Sequence, residues 1–181
     1  MIGTYIVALE ADIHPASLSR SRLGEMDLLI WRGASGNIHV WEDRCPHRSI
    51  RLSAGRNMGR YVEGIYHGWQ FGEDGTVLSI PAEGGKAFPD IQVNAVTSTV
   101  ASGFVWATMD DQLIVDEGFS GKIGRAVHFS VPIELVTPHL DFAQSRATPW
   151  GQGCMVYSIK QDARDRYYEA MALRGQLEGA Q

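Results

Sequence analysis

Cysteine is scarce in this chain: Cys45 and Cys154 are the only two among 181 residues. Two cysteines are too few for a disulfide scaffold. A Cys45–Cys154 bridge is the minor interpretation, because disulfides are rare in the cytosol. No apolar run approaches the roughly 18 residues that suggest a transmembrane helix, and the first residues lack the basic and apolar regions of a signal peptide. We therefore expect a cytoplasmic protein that makes no contact with a membrane.

Positive charge is also in short supply. Lys and Arg number 16 against 21 Asp and Glu, which gives a net charge of −5. Surfaces that bind nucleic acid are basic, so we expect no nucleic-acid partner. The 44% hydrophobic and 20% charged residues are typical of a globular protein. The length suits one domain, or one domain with an appendage, and the sequence leaves the oligomeric state open.

Short apolar runs separated by glycine-rich turns dominate the first 110 residues. The predicted strands are residues 5–8, 27–31, 37–41, 71–78 (interrupted by an Asp-Gly turn), 91–93 and 104–107. Residues 32–36 contain two glycines and predict a hairpin turn between two of the strands. Many short strands with such turns favour a small antiparallel β-sandwich or an open barrel, here assigned to residues 1–110.

The remaining residues, 111–181, have a different character. Residues 126–131 and 155–159 predict strands, and residues 162–179 predict a helix. Tyr168, Met171, Ala172 and Leu177 fall roughly on one side of that helix, which predicts its buried face. We therefore expect a short α+β appendage at the C-terminal end of a mainly β protein.

The most informative segments are two short motifs. Cys45-Pro46-His47-Arg48 forms the first, and the second, residues 64–69, reads Gly-Ile-Tyr-His-Gly-Trp and contains His67. Sixteen residues separate His47 from Gly64. The Cys-x-His spacing places two metal donors on the same side of an extended loop. Pro46 between them fixes φ and removes a backbone donor.

These motifs resemble the two cluster-binding loops of the Rieske iron–sulfur family, which read Cys-x-His and Cys-x-x-His. The flanking segments 41–48, 52–55, 66–71, 80–82 and 103–106 also resemble those of ring-hydroxylating and O-demethylating oxygenases. The resemblance implies a Rieske-like β fold and a 2Fe-2S cluster bound by Cys45, His47 and His67. In such a centre thiolates hold one iron and imidazoles hold the other. It also implies electron transfer to or within an oxygenase system, with a reductase and a terminal oxygenase as partners.

One ligand of that pattern is missing, because Gly64 stands where the second loop of the family has its cysteine. A glycine side chain has no donor atom, so the thiolate-bound iron would keep only Cys45. Water, an exogenous thiol or Cys154 would have to replace the missing cysteine. A single base change converts a cysteine codon to a glycine codon, so the substitution can be recent or engineered.

Two alternatives follow from Gly64. The first is a degenerate Rieske fold that has no cluster and serves as a binding or regulatory module. The second is a single iron or zinc on Cys45, His47 and His67 with one open position. The sequence supplies no clear general base beside that position, and Glu63 is the carboxylate considered because it is near in sequence.

The facial triad of a mononuclear iron oxygenase is not evident after residue 110. Two histidines and a carboxylate are required for it. His128 and His139 lie eleven residues apart, with Glu134 between them and Asp141 after them, and this spacing does not match the motif. We therefore expect no hydroxylation by this chain alone.

Overall fold

The computed structural model describes residues 3–110, 112–116, 118–119, 121, 124–142, 144–159 and 163–179, the last range by backbone alone up to residue 167. Within these ranges the chain is predominantly antiparallel β-structure, as the sequence predicts. It has two α-helices, of which the sequence predicts only the C-terminal one. None of the helices among these residues is long and apolar enough to cross a bilayer.

The strands are β1 Thr4–Leu9, β2 Leu18–Leu23, β3 Met26–Arg32, β4 Ile38–Glu42, β5 Arg56–Asn57, β6 Tyr61–Glu63, β7 Gln70–Gly72, β8 Thr76–Ile80, β9 Lys86–Gln92, β10 Thr97–Ala101, β11 Phe104–Thr108, β12 Val127–Phe129, β13 Ser145–Trp150 and β14 Gly153–Ser158. The helices are α1 Ile133–Val136 and α2 Ala163–Gly179. All six predicted β segments before residue 110 fall on strands of the structure. The Asp-Gly turn is confirmed by a hydrogen bond from Gly75 N to Gly72 O of 2.9 Å.

Four antiparallel sheets form stacked layers. The orders are β5-β6-β7-β8-β9, β2-β3-β4, β1-β11-β10 and β12-β14-β13. The sheet of β3 contributes to two cores because successive side chains point to opposite faces. Leu29 and Trp31 pack with Val62 and Phe71 of the five-stranded sheet, and Leu28 packs with residues of β1 and β11 on the other face. The predicted sandwich is therefore present.

The C-terminal part packs against this sandwich. Phe119, Tyr157 and Ile159 share a core with Ile6 and Trp106. Two backbone contacts fix the edge of β13: Gly24 N donates to Pro149 O at 2.9 Å, and Gly151 N donates to Gly24 O at 2.7 Å. The division of the chain into two domains at residue 110 stays a prediction. Residues from both sides of that boundary share one hydrophobic core.

The buried face of α2 differs from the predicted one. Ala170, Leu173 and Leu177 pack against the core of β12 and β14, whereas Tyr168 and Met171 are exposed. The three packed residues follow an i, i+3, i+7 spacing, so the face is helical but rotated from the one expected. The predicted first residue of the helix, Asp162, lies outside the described residues.

Candidate metal centre

The first candidate loop, residues 45–50, leaves β4 and closes on itself. Cys45 N donates to Ile50 O at 2.9 Å, and Ser49 N donates to Cys45 O at 2.8 Å. Ser49 has a φ of +57°, a left-handed conformation that is uncommon for a residue with a side chain. These bonds hold the backbone of Cys45 in place without any metal.

The second loop, residues 64–69, repeats this backbone arrangement. Gly64 N donates to Trp69 O at 2.9 Å, and Gly68 N donates to Gly64 O at 3.1 Å. Gly68 has a φ of +68°, as Ser49 has its positive φ in the first loop. Gly64 therefore occupies the position in the second loop that Cys45 occupies in the first.

The two histidines meet between the loops. The ring centroids of His47 and His67 lie 4.6 Å apart. The Trp69 ring stacks on the His47 ring, with 4.8 Å between the ring centroids and 5° between the planes. The ring centroids of Tyr66 and His67 lie 4.0 Å apart. Two imidazoles at this separation form a pair, as the histidine-bound iron of a Rieske centre requires.

The pKa of His47 is lowered from its usual value. The largest cause is partial loss of water around the ring, although the side chain is exposed, and the positive charges of His67 and Arg48 add to it. A lowered pKa favours the neutral imidazole, which is the form that binds metals.

A small pocket opens between the loops. Cys45, Gly64, His47 and His67 all line it, together with apolar and basic residues. Its enclosed volume of about 20 Å³ is enough for one water-sized atom. The sequence-predicted candidates are thus brought together at one place.

Space for a side chain remains at Gly64. A Cβ built there would have Trp69 O as its nearest neighbour, at 3.7 Å, which is an ordinary van der Waals contact. The backbone φ of Gly64 is not in the positive region that favours glycine. A cysteine would therefore fit this backbone without strain.

Cys154 does not lie at this site. Its side chain is buried in the core of β12, β14 and α2, and it is not among the residues that line the pocket. Burial, followed by the charge of Glu134, raises the pKa of its thiol to about 11. Both cysteines are free thiols. The structure thus contradicts a Cys45–Cys154 disulfide, and it gives no support to Cys154 as the fourth ligand.

A buried carboxylate anchors the first loop, and sequence reasoning missed it. Asp43 accepts hydrogen bonds from Ser53 N at 2.7 Å and Ser53 Oγ at 2.6 Å. Its side chain is 0% exposed, and Arg51 lies 3.6 Å away. Arg51 also donates to Asp27 on β3 at 2.7 Å. The only available signal was that Asp43 precedes Cys45 by two residues, which does not predict burial.

The second loop is covered by a short turn after β8. A Cβ at Gly68 would lie 3.2 Å from Pro81 Cγ, so the proline ring packs directly over this glycine. Residues 80–82 are among the segments that resemble the family, whose members have a proline loop over the cluster, and the structure places Pro81 against the second loop. Glycine is required at residue 68 both by the positive φ and by this contact.

The single-metal alternative shares Cys45, His47 and His67 with the cluster site, but Glu63, the carboxylate considered beside it, has another partner. Glu63 pairs with Arg56 at 3.1 Å and does not line the pocket. Across the described ranges no group of three His, Cys, Asp or Glu side chains is arranged to hold one metal ion. The structure therefore offers no support for the single iron or zinc site.

The fold and the two loops define a small antiparallel β protein with an iron–sulfur type of site. The sequence profile of the Rieske 2Fe-2S domain family matches residues 3–97. This chain belongs to the Rieske 2Fe-2S domain family.

Individual relatives point to the same family. The chain is 32% identical over 115 residues to 4beta-methylsterol monooxygenase of Methylococcus capsulatus, covering 62% of this chain and 31% of that protein. It is 33% identical over 138 residues to the vanillate O-demethylase oxygenase subunit of a Pseudomonas species, covering 76% of this chain and 35% of that protein. The chain thus spans about a third of the length of these relatives.

Solved structures show the same fold. The crystal structure of apo dicamba monooxygenase superposes with a TM-score of 0.68 at 21% identity, over 80% of this chain and 48% of that one. This likeness concerns the fold alone, since sequence identity is low.

The residues present fit most of the group that the family implies. Cys45, His47 and His67 match three ligands, the two loops have matching backbones, and the space at Gly64 corresponds to the fourth. The protein supplies three candidate ligands, one thiolate and two imidazoles, where four protein ligands are the rule. The shape of the site is retained, and its donor set is one short.

Proposed function

We propose that this chain is a Rieske-type 2Fe-2S protein that transfers electrons to or within an aromatic-ring oxygenase or demethylase system, with an incomplete set of protein ligands. The observation that carries the proposal is the pair of loops with matching hydrogen bonds, which bring His47 and His67 to 4.6 Å. Most residues of both loops are exposed or half-buried, so packing of the hydrophobic core does not account for this loop geometry.

Each proposed ligand has a separate role. Cys45 would hold one iron as a thiolate, and His47 and His67 would hold the other as neutral imidazoles. A bound cluster would supply one-electron transfer at a potential of roughly −150 to +300 mV. Trp69 stacks on His47 and restricts the orientation of that ring. Because both imidazoles lie on the exposed loops, a redox partner could approach them directly.

The wider system is part of the proposal. This chain covers about a third of the length of two relatives that are a monooxygenase and an oxygenase subunit. The partners proposed for this chain are inferred from those oxygenase systems. A reductase would deliver electrons, and a terminal oxygenase would receive them. A cytoplasmic location stays a prediction from the sequence.

A degenerate Rieske fold that acts as a binding module is the second candidate, and Gly64 favours it. Backbone hydrogen bonds close both loops, and Asp43 accepts hydrogen bonds from Ser53 beside the first, which supports a loop shape maintained by the protein itself. Such a module would have equal stability with and without iron.

Metal analysis separates these candidates. Iron, acid-labile sulfide and the absorption spectrum would be measured on anaerobically reconstituted wild type, Gly64→Cys and Cys154→Ala. We expect about two irons and two sulfides per chain in wild type and Gly64→Cys. Cys154→Ala is the control and should bind as the wild type does, because Cys154 lies in another core.

A colourless wild type beside a coloured Gly64→Cys variant would overturn electron transfer and support the binding module. One metal without sulfide would instead support the single-metal site. If Gly64→Cys also fails to bind iron and sulfide, Cys45, His47 and His67 are not the ligands.

A further inference from the structure

We propose that the cavity between the β2–β3 hairpin and the β13–β14 turn binds a phosphate monoester that carries an aromatic ring. This cavity lies beside the pocket between the two loops, and Arg51 lines both. The proposal goes beyond electron transfer and needs neither iron nor sulfide. Three guanidinium groups and one indole ring around a single open space carry it.

The cavity has the size of a small-molecule site. Its volume is about 430 Å³, and small-molecule sites in proteins span roughly 300–1,000 Å³. Four parts of the chain line it: β2 with Arg20, Ser21 and Arg22, β3 with Asp27, the segment after the first loop with Arg51, and the end of β13 with Trp150. This volume can hold a phosphate group together with an organic substituent.

Backbone hydrogen bonds join the walls of the cavity. Gly24, in the hairpin turn, donates to Pro149 O at 2.9 Å and accepts from Gly151 N at 2.7 Å. The guanidinium group of Arg22 lies against the other turn, because a Cβ at Gly151 would be 2.6 Å from Arg22 Nη1. Walls that are formed before a ligand arrives lower the cost of binding.

Positive charge exceeds negative charge at this cavity, although the whole chain has a net charge of −5. Asp27 accepts from Arg22 Nε and Arg51 Nη2, each at 2.7 Å, and Arg51 also lies 3.6 Å from Asp43. The side chains of Arg22 and Arg51 remain 34% and 43% exposed. Each guanidinium group has five N–H donors, so donors remain for a ligand. Arg20 is exposed and has no ion pair within the described residues.

The positions of the three arginines favour phosphate over carboxylate. A planar carboxylate is satisfied by one guanidinium group in a bidentate pair, whereas a phosphate monoester has three terminal oxygens that accept from several directions. Arg20 and Arg22 share one face of β2, because side chains alternate along a strand, and Arg51 approaches from another part of the chain. A phosphate group can accept from both walls at once.

Trp150 provides a surface for the rest of the ligand. Its side chain is half-buried and lines the cavity. The ring meets that of His128 at 72°, with 6.5 Å between the centroids, which restricts its orientation. A fixed indole ring offers a stacking surface to a planar aromatic group. A nucleoside monophosphate is the simplest biological compound that has both parts.

The experiment is isothermal titration calorimetry of the full chain with AMP, ribose 5-phosphate and adenosine. Ribose 5-phosphate lacks the aromatic base, and adenosine lacks the phosphate. We expect one AMP per chain, bound at least about fivefold more tightly than ribose 5-phosphate because of stacking, with adenosine the weakest of the three. Equal affinities for AMP and adenosine would overturn the phosphate anchor, and equal affinities for AMP and ribose 5-phosphate would overturn the aromatic part. No saturable AMP binding would overturn both.

Arginine variants test the phosphate anchor. Arg20→Gln leaves the ion pairs of Asp27 in place. It should weaken AMP binding about two- to fivefold, the range of one exposed ion pair, and leave adenosine binding unchanged. Arg60→Gln removes the same charge from an exposed residue that does not line the cavity, and it should bind AMP as the wild type does. Equal weakening in both variants would show an effect of net charge alone and overturn the site.

Substitution of Trp150 tests the stacking surface. Trp150→Leu should bind AMP and ribose 5-phosphate with similar affinity, because the preference for AMP depends on the indole ring. If the leucine variant does not fold, Trp150→Phe provides a smaller ring and should reduce the preference. A full preference for AMP in either folded variant would overturn the role of Trp150.

The location of the site and the proposed function are tested separately. Arg48 lines the pocket between the loops and does not line this cavity. A loss of AMP binding in Arg48→Gln without any loss in Arg20→Gln would place the anion at the loops and overturn this site. Failure of AMP binding leaves the electron-transfer proposal standing, because iron and sulfide content tests that proposal.

Discussion

The two loops share a backbone and differ in chemistry. Residues 45–50 and 64–69 each close with the same pair of backbone hydrogen bonds and each have one residue with a positive φ. The first loop presents a thiol at its first position, and the second presents only a hydrogen atom. The shape of this site is therefore encoded by many residues, whereas its complement of donors depends on one.

Exchanging the cysteine between the loops is expected to have the largest effect. Cys45→Gly should lose all bound iron and sulfide, because no protein thiolate remains at the site. The double variant Cys45→Gly/Gly64→Cys should recover the iron and sulfide content of the wild type. Iron and sulfide per chain are the readout. If the double variant binds nothing while Gly64→Cys alone binds a cluster, the two loops are not equivalent.

Removal of the buried carboxylate below the first loop should have the next largest effect. Asp43→Ala leaves Ser53 N without its acceptor in a buried setting, and we expect a loss of about 2–3 kcal/mol in the free energy of unfolding. Chemical denaturation measures this loss.

Asp74 offers a matched control for that variant. It makes the same kind of bonds, from Thr76 N at 3.1 Å and Thr76 Oγ1 at 2.8 Å, but on an exposed turn. Asp74→Ala should cost less than about 1 kcal/mol. Equal losses in the two variants would show that burial of Asp43 is not what stabilises the first loop.

Much of this fold could be predicted from local sequence. The hairpin between β3 and β4 and the Asp74-Gly75 turn follow from glycine placement, and the structure has both. The candidate site residues lie in two short motifs, and the structure brings these motifs together around one pocket. Gly64 was recognisable as the missing ligand only through the resemblance to the Cys-x-x-His loop of the family, and the matching backbone of the two loops supports that interpretation.

Other elements gave no local signal. β2 was missed because Arg20 and Arg22 alternate with serines, and its pairing with β3 is what makes it a strand. β13 was missed because it contains Pro149, which normally argues against a strand. The anchoring role of Asp43 depends on Ser53, ten residues away, and only the tertiary structure brings them together.

Ser49 and Gly68, the residues with positive φ in the two loops, allow a reciprocal pair of substitutions with a smaller effect. Gly68→Ala should lower the free energy of unfolding by about 1–2 kcal/mol, because a Cβ is strained there and would approach Pro81 Cγ at 3.2 Å. Ser49→Gly should raise it by about 0.5–1 kcal/mol as the strain is relieved. Thermal and chemical denaturation of both variants test the pair. A Gly68→Ala protein as stable as the wild type would contradict the backbone geometry of the second loop.

The smallest effect concerns acid stability beside the first loop. Burial alone would raise the pKa of Asp27, but the hydrogen bond from Arg22 and the charges of Arg22, Arg51 and Arg20 outweigh it, so the pKa is lowered. The unfolded chain then binds more protons than the folded one, and stability rises with pH across this window. Stability should thus be full above about pH 4, the usual aspartate range, and fall as pH drops through the lower folded pKa.

Asp27→Asn should flatten that dependence and cost about 0.5–1 kcal/mol near neutral pH, because the ion pairs are partly exposed. High salt should weaken the wild-type dependence by screening the pairs. Denaturation midpoints between pH 2 and pH 7 are the measurement. None of the described ion pairs involves residues 64–69 of the second loop, so a variant there such as Tyr66→Phe should leave the acid slope unchanged. A slope that persists in Asp27→Asn would assign the acid sensitivity to other carboxylates and leave the first loop supported by Asp43 alone.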